Sequence, residues 1–101
     1  MRMLLQIKIP NEDFNDAVRE GEAGRTIDRI LEDANPEAVY FTEADGQRAV
    51  MMVVQVEDAS EIPRFSEPWF LEFDADVEFR IAMTPDDLKR AKLHKLGERW
   101  G

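Results

Sequence analysis

The sequence predicts an α+β domain built in the order β-α-β-β-α-β. Three observations lead there: period-two alternation marks strands near both ends of the chain, an Asp-Gly pair separates two β-branched runs in its middle, and stretches of 3.6-residue periodicity lie between them.

In the first strand Met3, Leu5, Ile7 and Ile9 point one way and Leu4, Gln6 and Lys8 the other, so one face is fully apolar. Pro10-Asn11 ends this strand, and Asn11 is expected to cap the helix that follows. On a helix Phe14, Ala17, Val18 and Gly21 form one stripe, while Ile27, Ile30, Leu31 and Ala34 form another roughly 140° away. One straight helix cannot bury both stripes. The break is therefore predicted at Gly21-Glu22-Ala23-Gly24, where each glycine weakens a helix by about 1 kcal/mol relative to alanine. Asn35-Pro36 stops the second piece, because the residue before proline disfavours helical geometry.

A hairpin from Ala38 to Val56 is predicted to turn on Asp45-Gly46. Its second arm is apolar at both parities from Ala49 to Val54, as in a central strand covered on two faces. Asp58 or Ser60 can cap the next helix, in which Ile62, Phe65, Trp69 and Phe73 make one stripe. Pro68 lies off that stripe and should kink the helix without entering the core, and Phe70 and Leu71 point elsewhere. The fourth strand sets Val77, Phe79, Ile81 and Met83 against Glu78, Arg80 and Ala82. Thr84-Pro85-Asp86-Asp87 then reads as a cap, a first-turn proline and two acids at the start of a last helix, whose end Gly97 leaves open.

The 101 residues make one domain, 1–101, with 86–101 as a C-terminal helical tail. An apolar content of 44% is too high for wholesale disorder. Cysteine is absent, which removes disulfides, thiolate catalysis and thiolate metal sites and points to a reducing cytoplasm. No apolar run approaches the ~20 residues of a membrane span, and Gln6 and Lys8 break up any signal-peptide core, so a soluble cytoplasmic protein is expected. The net charge of −9 opposes a nucleic-acid partner. That charge is uneven: residues 1–85 carry 8 basic and 19 acidic groups, net −11, and residues 86–101 carry 5 and 3, net +2. A basic tail on an acidic body either docks on that body or on a sister subunit, or stays solvated.

The usual catalytic sets are missing. A single histidine, His94, lies in the tail, so a metal site built on two or three histidines of one subunit is impossible, and its ordinary reading is a solvent-facing side chain. Ser60 and Ser66 lack a Gly-x-Ser-x-Gly elbow, and no glycine-rich phosphate loop occurs. Asp74-x-Asp76 and Asp86-Asp87 read as caps and turns, without calcium-loop spacing. Gln6, Lys8, Glu78 and Arg80 share the minor face of the sheet if the first and fourth strands are neighbours, and there they read first as a cross-strand charge ladder that sets register. No metal or cofactor is expected.

The order of elements, together with Pro36 to Glu43, Glu67-Pro-Trp-Phe-Leu71, Val77-Glu-Phe-Arg80 and Met83-Thr-Pro-Asp-Asp-Leu88, resembles a group of short proteins in the dimeric α+β barrel superfamily. The resemblance covers nearly the whole chain. It implies a ferredoxin-like antiparallel sheet of order 4-1-3-2 whose exposed face packs on the same face of a second subunit. That superfamily includes muconolactone-isomerase-like enzymes, cofactor-independent monooxygenases of the antibiotic-biosynthesis type and chlorite-dismutase-like haem proteins. The haem branch is disfavoured here, since the one histidine lies in the tail.

The function expected from this reading is a small homodimeric domain that binds or senses a small hydrophobic molecule without turnover. A cofactor-free isomerase or monooxygenase-type enzyme acting on a small hydrophobic or aromatic substrate is the alternative, and a structural interaction module the third. The ligand-binding residues expected are Phe41, Phe65 and Trp69 as walls and Gln6, Tyr40 and Arg48 as polar anchors, between sheet and helices. The parity of the second and third strands leaves open whether Tyr40 and Arg48 instead face a partner or water.

Overall fold

A central strand, β1 (Arg2–Ile9), flanked on both sides by antiparallel partners, organises the computed structural model, which describes residues 1–101. α1 (Asn11–Arg19) and α2 (Ala23–Ala34) follow it, then β2 (Ala38–Ala44) and β3 (Gln47–Gln55). A 3₁₀ turn (Ala59–Glu61) leads into α3 (Ile62–Phe73), β4 (Asp76–Ile81), α4 (Pro85–Arg90) and α5 (Leu93–Trp100). The strand order is β2-β3-β1-β4, the same as 4-1-3-2 read from the other edge, with α1, α2 and α3 on one side. This is the ferredoxin-like α+β layout expected of the sequence.

Register fixes which side each residue serves. Met3, Leu5, Ile7 and Ile9 lie level with Val54, Met52, Val50 and Arg48 of β3, and Met3, Leu5 and Ile7 with Ile81, Phe79 and Val77 of β4. This is the helix side, where Leu5, Ile7 and Trp69 are fully buried and Phe65, Phe73 and Val50 nearly so. Each such side chain contributes about 1.5–3 kcal/mol on leaving water. The other parity, Arg2, Leu4, Gln6 and Lys8, is only half-buried, because no helix lies over it.

The helix break falls where the two glycines placed it. α1 stops at Arg19, Gly21 takes a left-handed φ of 75°, and α2 restarts at Ala23, so Phe14 and Ala17 reach the core from one axis and Ile27, Ile30 and Ala34 from another. Asn11 does not cap α1. Pro10 occupies the cap position, and the Asn11 side chain donates instead to the Gly46 carbonyl at 3.2 Å, tying α1 to the hairpin turn. Asp45 and Gly46 both adopt positive φ, 54° and 77°, the handedness a two-residue hairpin turn requires.

Asp58 caps the turn before α3: its carboxylate accepts from the Ser60 N–H, and Glu61 accepts from the Asp58 and Glu57 N–H groups. Asn35 and Asp74, both left-handed, end α2 and α3. The tail is two helices, where one was expected. α4 opens on the reciprocal Thr84–Asp87 capping box and closes before Lys92, whose left-handed φ of 56° starts α5 on a new axis; the stop falls at Lys92, and Gly97 lies inside α5. Every residue from Leu88 to Gly101 is exposed. No helix is long and apolar enough to cross a membrane.

Candidate functional site

The side of the sheet away from the helices carries three cross-strand rows. One reads Ala38, Val53, Leu4, Arg80; the next Tyr40, Met51, Gln6, Glu78; the third Thr42, Ala49, Lys8, Asp76. The face is therefore divided. Its β2–β3 half is apolar apart from two hydroxyls, and its β1–β4 half is polar and charged apart from Leu4, which extends the apolar half. Antiparallel pairing of β1 with β4 puts Gln6 directly opposite Glu78, as the charge-ladder reading requires.

On the polar half the groups engage one another. Arg80 donates from Nη2 to Glu78 Oε2 at 2.8 Å and from Nη1 to Gln6 Oε1 at 3.3 Å, and Lys8 Nζ meets Asp45 Oδ2 at 3.3 Å. Gln6, Lys8, Asp45, Asp76 and Glu78 line a depression of about 180 Å³, large enough for a few water molecules or a small polar headgroup. Three carboxylates and one ammonium give it a negative balance, so it suits a hydrogen-bond donor or a cationic group. At the far end of the face Arg2 Nε donates to Glu37 Oε2 at 2.9 Å while Gln55 donates to the other Glu37 oxygen. These two hydrogen bonds hold the Glu37 carboxyl below the usual carboxylate range.

The six residues singled out in the sequence do not meet in one place. Trp69 and Phe65 are sealed in the core at 0% and 1% exposure. Phe41 faces the helix side, opposite Val50, but at the sheet edge, where it remains exposed. Arg48 also lies on the helix side, its guanidinium carbon 4.6 Å from the Phe14 ring centroid and its Nη1 donating to Asn15 Oδ1 at 2.8 Å. Gln6 and Tyr40 lie on the opposite, open face, in one row with Met51 between them. Between sheet and helices Trp69 packs on Phe73, and Phe73 on Phe14. The indole Nε1 of Trp69 has no hydrogen-bond partner, the one buried side-chain polar atom in this position.

Sequence reasoning found Lys8, Glu78 and Arg80 as a patch but left Asp45 and Asp76 to the turns. Asp45 joins because the hairpin turn folds back beside Lys8, and Asp76 because β4 begins one residue earlier than its apolar alternation. The other carboxylates whose ionisation the fold shifts are caps. Asp58 is held low by the Ser60 N–H, Glu61 by the Asp58 and Glu57 N–H groups, and Asp87 by the Thr84 N–H. No protein-family model matches the chain, and no curated protein is significantly similar to it.

Proposed function

We propose that the chain acts as a homodimer of the dimeric α+β barrel kind, in which the open faces of two sheets stack and enclose a small molecule that is bound without turnover. The observation that carries this reading is the divided open face. Leu4, Met51, Val53 and Tyr40 form an apolar surface that no element of the chain covers, and Gln6, Lys8 and Glu78 border it with donors and acceptors. Such a mixture of an apolar wall and a few polar anchors is the usual make-up of a small-molecule site. Two sheets packed about 10 Å apart would give each Tyr40 hydroxyl and each Gln6 amide access to the same enclosed space. The ligand class is a small, largely apolar molecule with one hydrogen-bonding or cationic end. Binding is favoured over catalysis because the carboxylates with shifted ionisation serve caps and the Arg2–Glu37 pair at the rim. A chain without cysteine suits a reducing compartment, which makes the cytoplasm its proposed location.

Sedimentation at micromolar concentration tests the dimer, since stacked sheet faces should bury more than about 1,000 Å². The wild-type chain should sediment as a dimer and Met51→Glu as a folded monomer; a wild-type monomer rejects the reading. Native mass spectrometry of the purified dimer, followed by Tyr40→Phe and Gln6→Ala, tests the ligand. Affinity for a retained molecule should fall in both variants, and an unchanged affinity in both removes the site from the open face.

A further inference from the structure

The α4–α5 arm stands away from the body. The radius of gyration is 17.0 Å and the longest dimension 59 Å, against about 13 Å for the radius of a compact chain of this length. On α5, Leu93, Leu96 and Trp100 share one side by their spacing, and all three are exposed, Trp100 at 77%. Three of the arm's cations, Lys89, Lys92 and Lys95, make no ion pair within the chain. An amphipathic helix with an unused apolar side and unused positive charge is built to lie on something acidic and partly apolar.

The chain carries such a surface. Between α2 and α3, on the outside of the helix layer, runs a groove of about 610 Å³. Glu32, Asp33 and Glu72 line it and make no ion pair within the chain; Arg29 is the one cation in it, and Ile30 and Pro68 lie among them. Leu71, exposed at 80%, lies one turn beyond Pro68 and next to Glu72 on α3. The unpaired carboxylates of the groove thus complement Lys89 and Lys92, which lie beside Leu88 and Leu93 on the arm.

The arm does not reach this groove in its own subunit. None of its residues lines the groove, and every residue from Leu88 onward is exposed. We propose that the arm clasps a second copy of this chain, setting the Leu93–Leu96–Trp100 side of α5, with Lys89 and Lys92 beside Leu93, into that copy's acidic α2–α3 groove. This inference rests on self-association as proposed above but not on how the sheets stack: the groove and the arm are separate from the open face, so the two readings can fail independently.

The absence of cysteine makes the test direct. Full-length Leu71→Cys and Leu96→Cys chains, mixed and treated with a short bis-maleimide, should give a cross-linked band of two chains that neither variant gives alone. Lys89→Glu/Lys92→Glu should suppress that band and weaken the dimer about tenfold, and adding Glu32→Lys/Glu72→Lys should restore both. No cross-link in the mixture, or cross-linking only inside a single chain carrying both cysteines, overturns the clasp. A wild-type dimer without the cross-link leaves the stacked sheets standing and rejects the arm. A cross-link that survives alongside a Met51→Glu dimer of undiminished affinity keeps the arm and rejects the stacking.

Discussion

Arg48 lies across the ring of Phe14, its guanidinium carbon 4.6 Å from the ring centroid, and this contact joins the start of β3 to α1. The same side chain donates to Asn15 at 2.8 Å, so a residue expected to anchor a ligand anchors a helix. α1 has no buried residue of its own and no side-chain cap, which makes a contact of this kind matter to its docking. Arg48→Ala should destabilise the fold by about 1 kcal/mol, the sum of an exposed cation–π contact and a partly solvated hydrogen bond. Arg48→Lys should recover little of it, because an ammonium cannot both stack and reach Asn15. Denaturant unfolding of the two variants measures this, and ligand affinity should be the same in both.

Trp69 separates volume from polarity. Trp69→Ala should cost about 3–5 kcal/mol, as expected of a fully buried large side chain. Trp69→Phe should cost markedly less, since the lost indole N–H has no partner and its burial is itself unfavourable by about 1–3 kcal/mol. Equal losses in the two variants would show that the N–H is satisfied in the folded protein.

Stability should fall with acid in a defined window. Glu37, Asp58, Glu61 and Asp87 all have folded-state ionisation pulled below the ordinary carboxylate range, by the Arg2 and Gln55 side chains for Glu37 and by backbone N–H groups for the others. A lowered value means that the folded state releases protons more readily than the unfolded chain does. The stabilisation is therefore complete above about pH 5 and is lost as pH drops through 4 and below. Thermal melts from pH 7 to pH 3 should show it, and Glu37→Gln should flatten part of the decline.

Gly46 has a φ of 77°, yet a side chain there would meet nothing within 4 Å. Gly46→Ala should then destabilise by about 1–2 kcal/mol through backbone strain alone. Gly46→Asn should cost less, because asparagine tolerates the left-handed region. Gly24 lies inside α2 without positive φ and with the same open space, so Gly24→Ala should stabilise by about 0.4–1 kcal/mol. Melting temperatures moving in opposite directions for the two alanine variants would separate conformational strain from side-chain packing.

Much of the fold was legible because local and global signals agree. Met3, Leu5, Ile7 and Ile9 alternate so strictly that their face could not be mistaken, and Asp45-Gly46 admits few conformations other than the tight turn it makes. The site was less legible. Tyr40 and Arg48 come from strands whose apolar residues occupy both parities, and period-two reasoning cannot assign a face when Val50, Met51, Met52 and Val53 are all apolar. Only the pairing with β1 settles it, by setting Val50 against Ile7 and Met51 against Gln6. The role of the Asn11 side chain is hidden from the sequence for a related reason. Its partner, the Gly46 carbonyl, is distant in sequence, and nothing local distinguishes a cap from a long-range hydrogen bond.

Both partners of β1 lie after it in sequence, and this orders the folding of the sheet: Met3 pairs with Val54 on one side and Ile81 on the other. The β2–β3 hairpin closes a loop of two residues and has the lowest entropy cost of the three pairings. The β1–β3 and β1–β4 pairings close loops of tens of residues, so the central strand is among the last to be fixed although it is the most deeply buried.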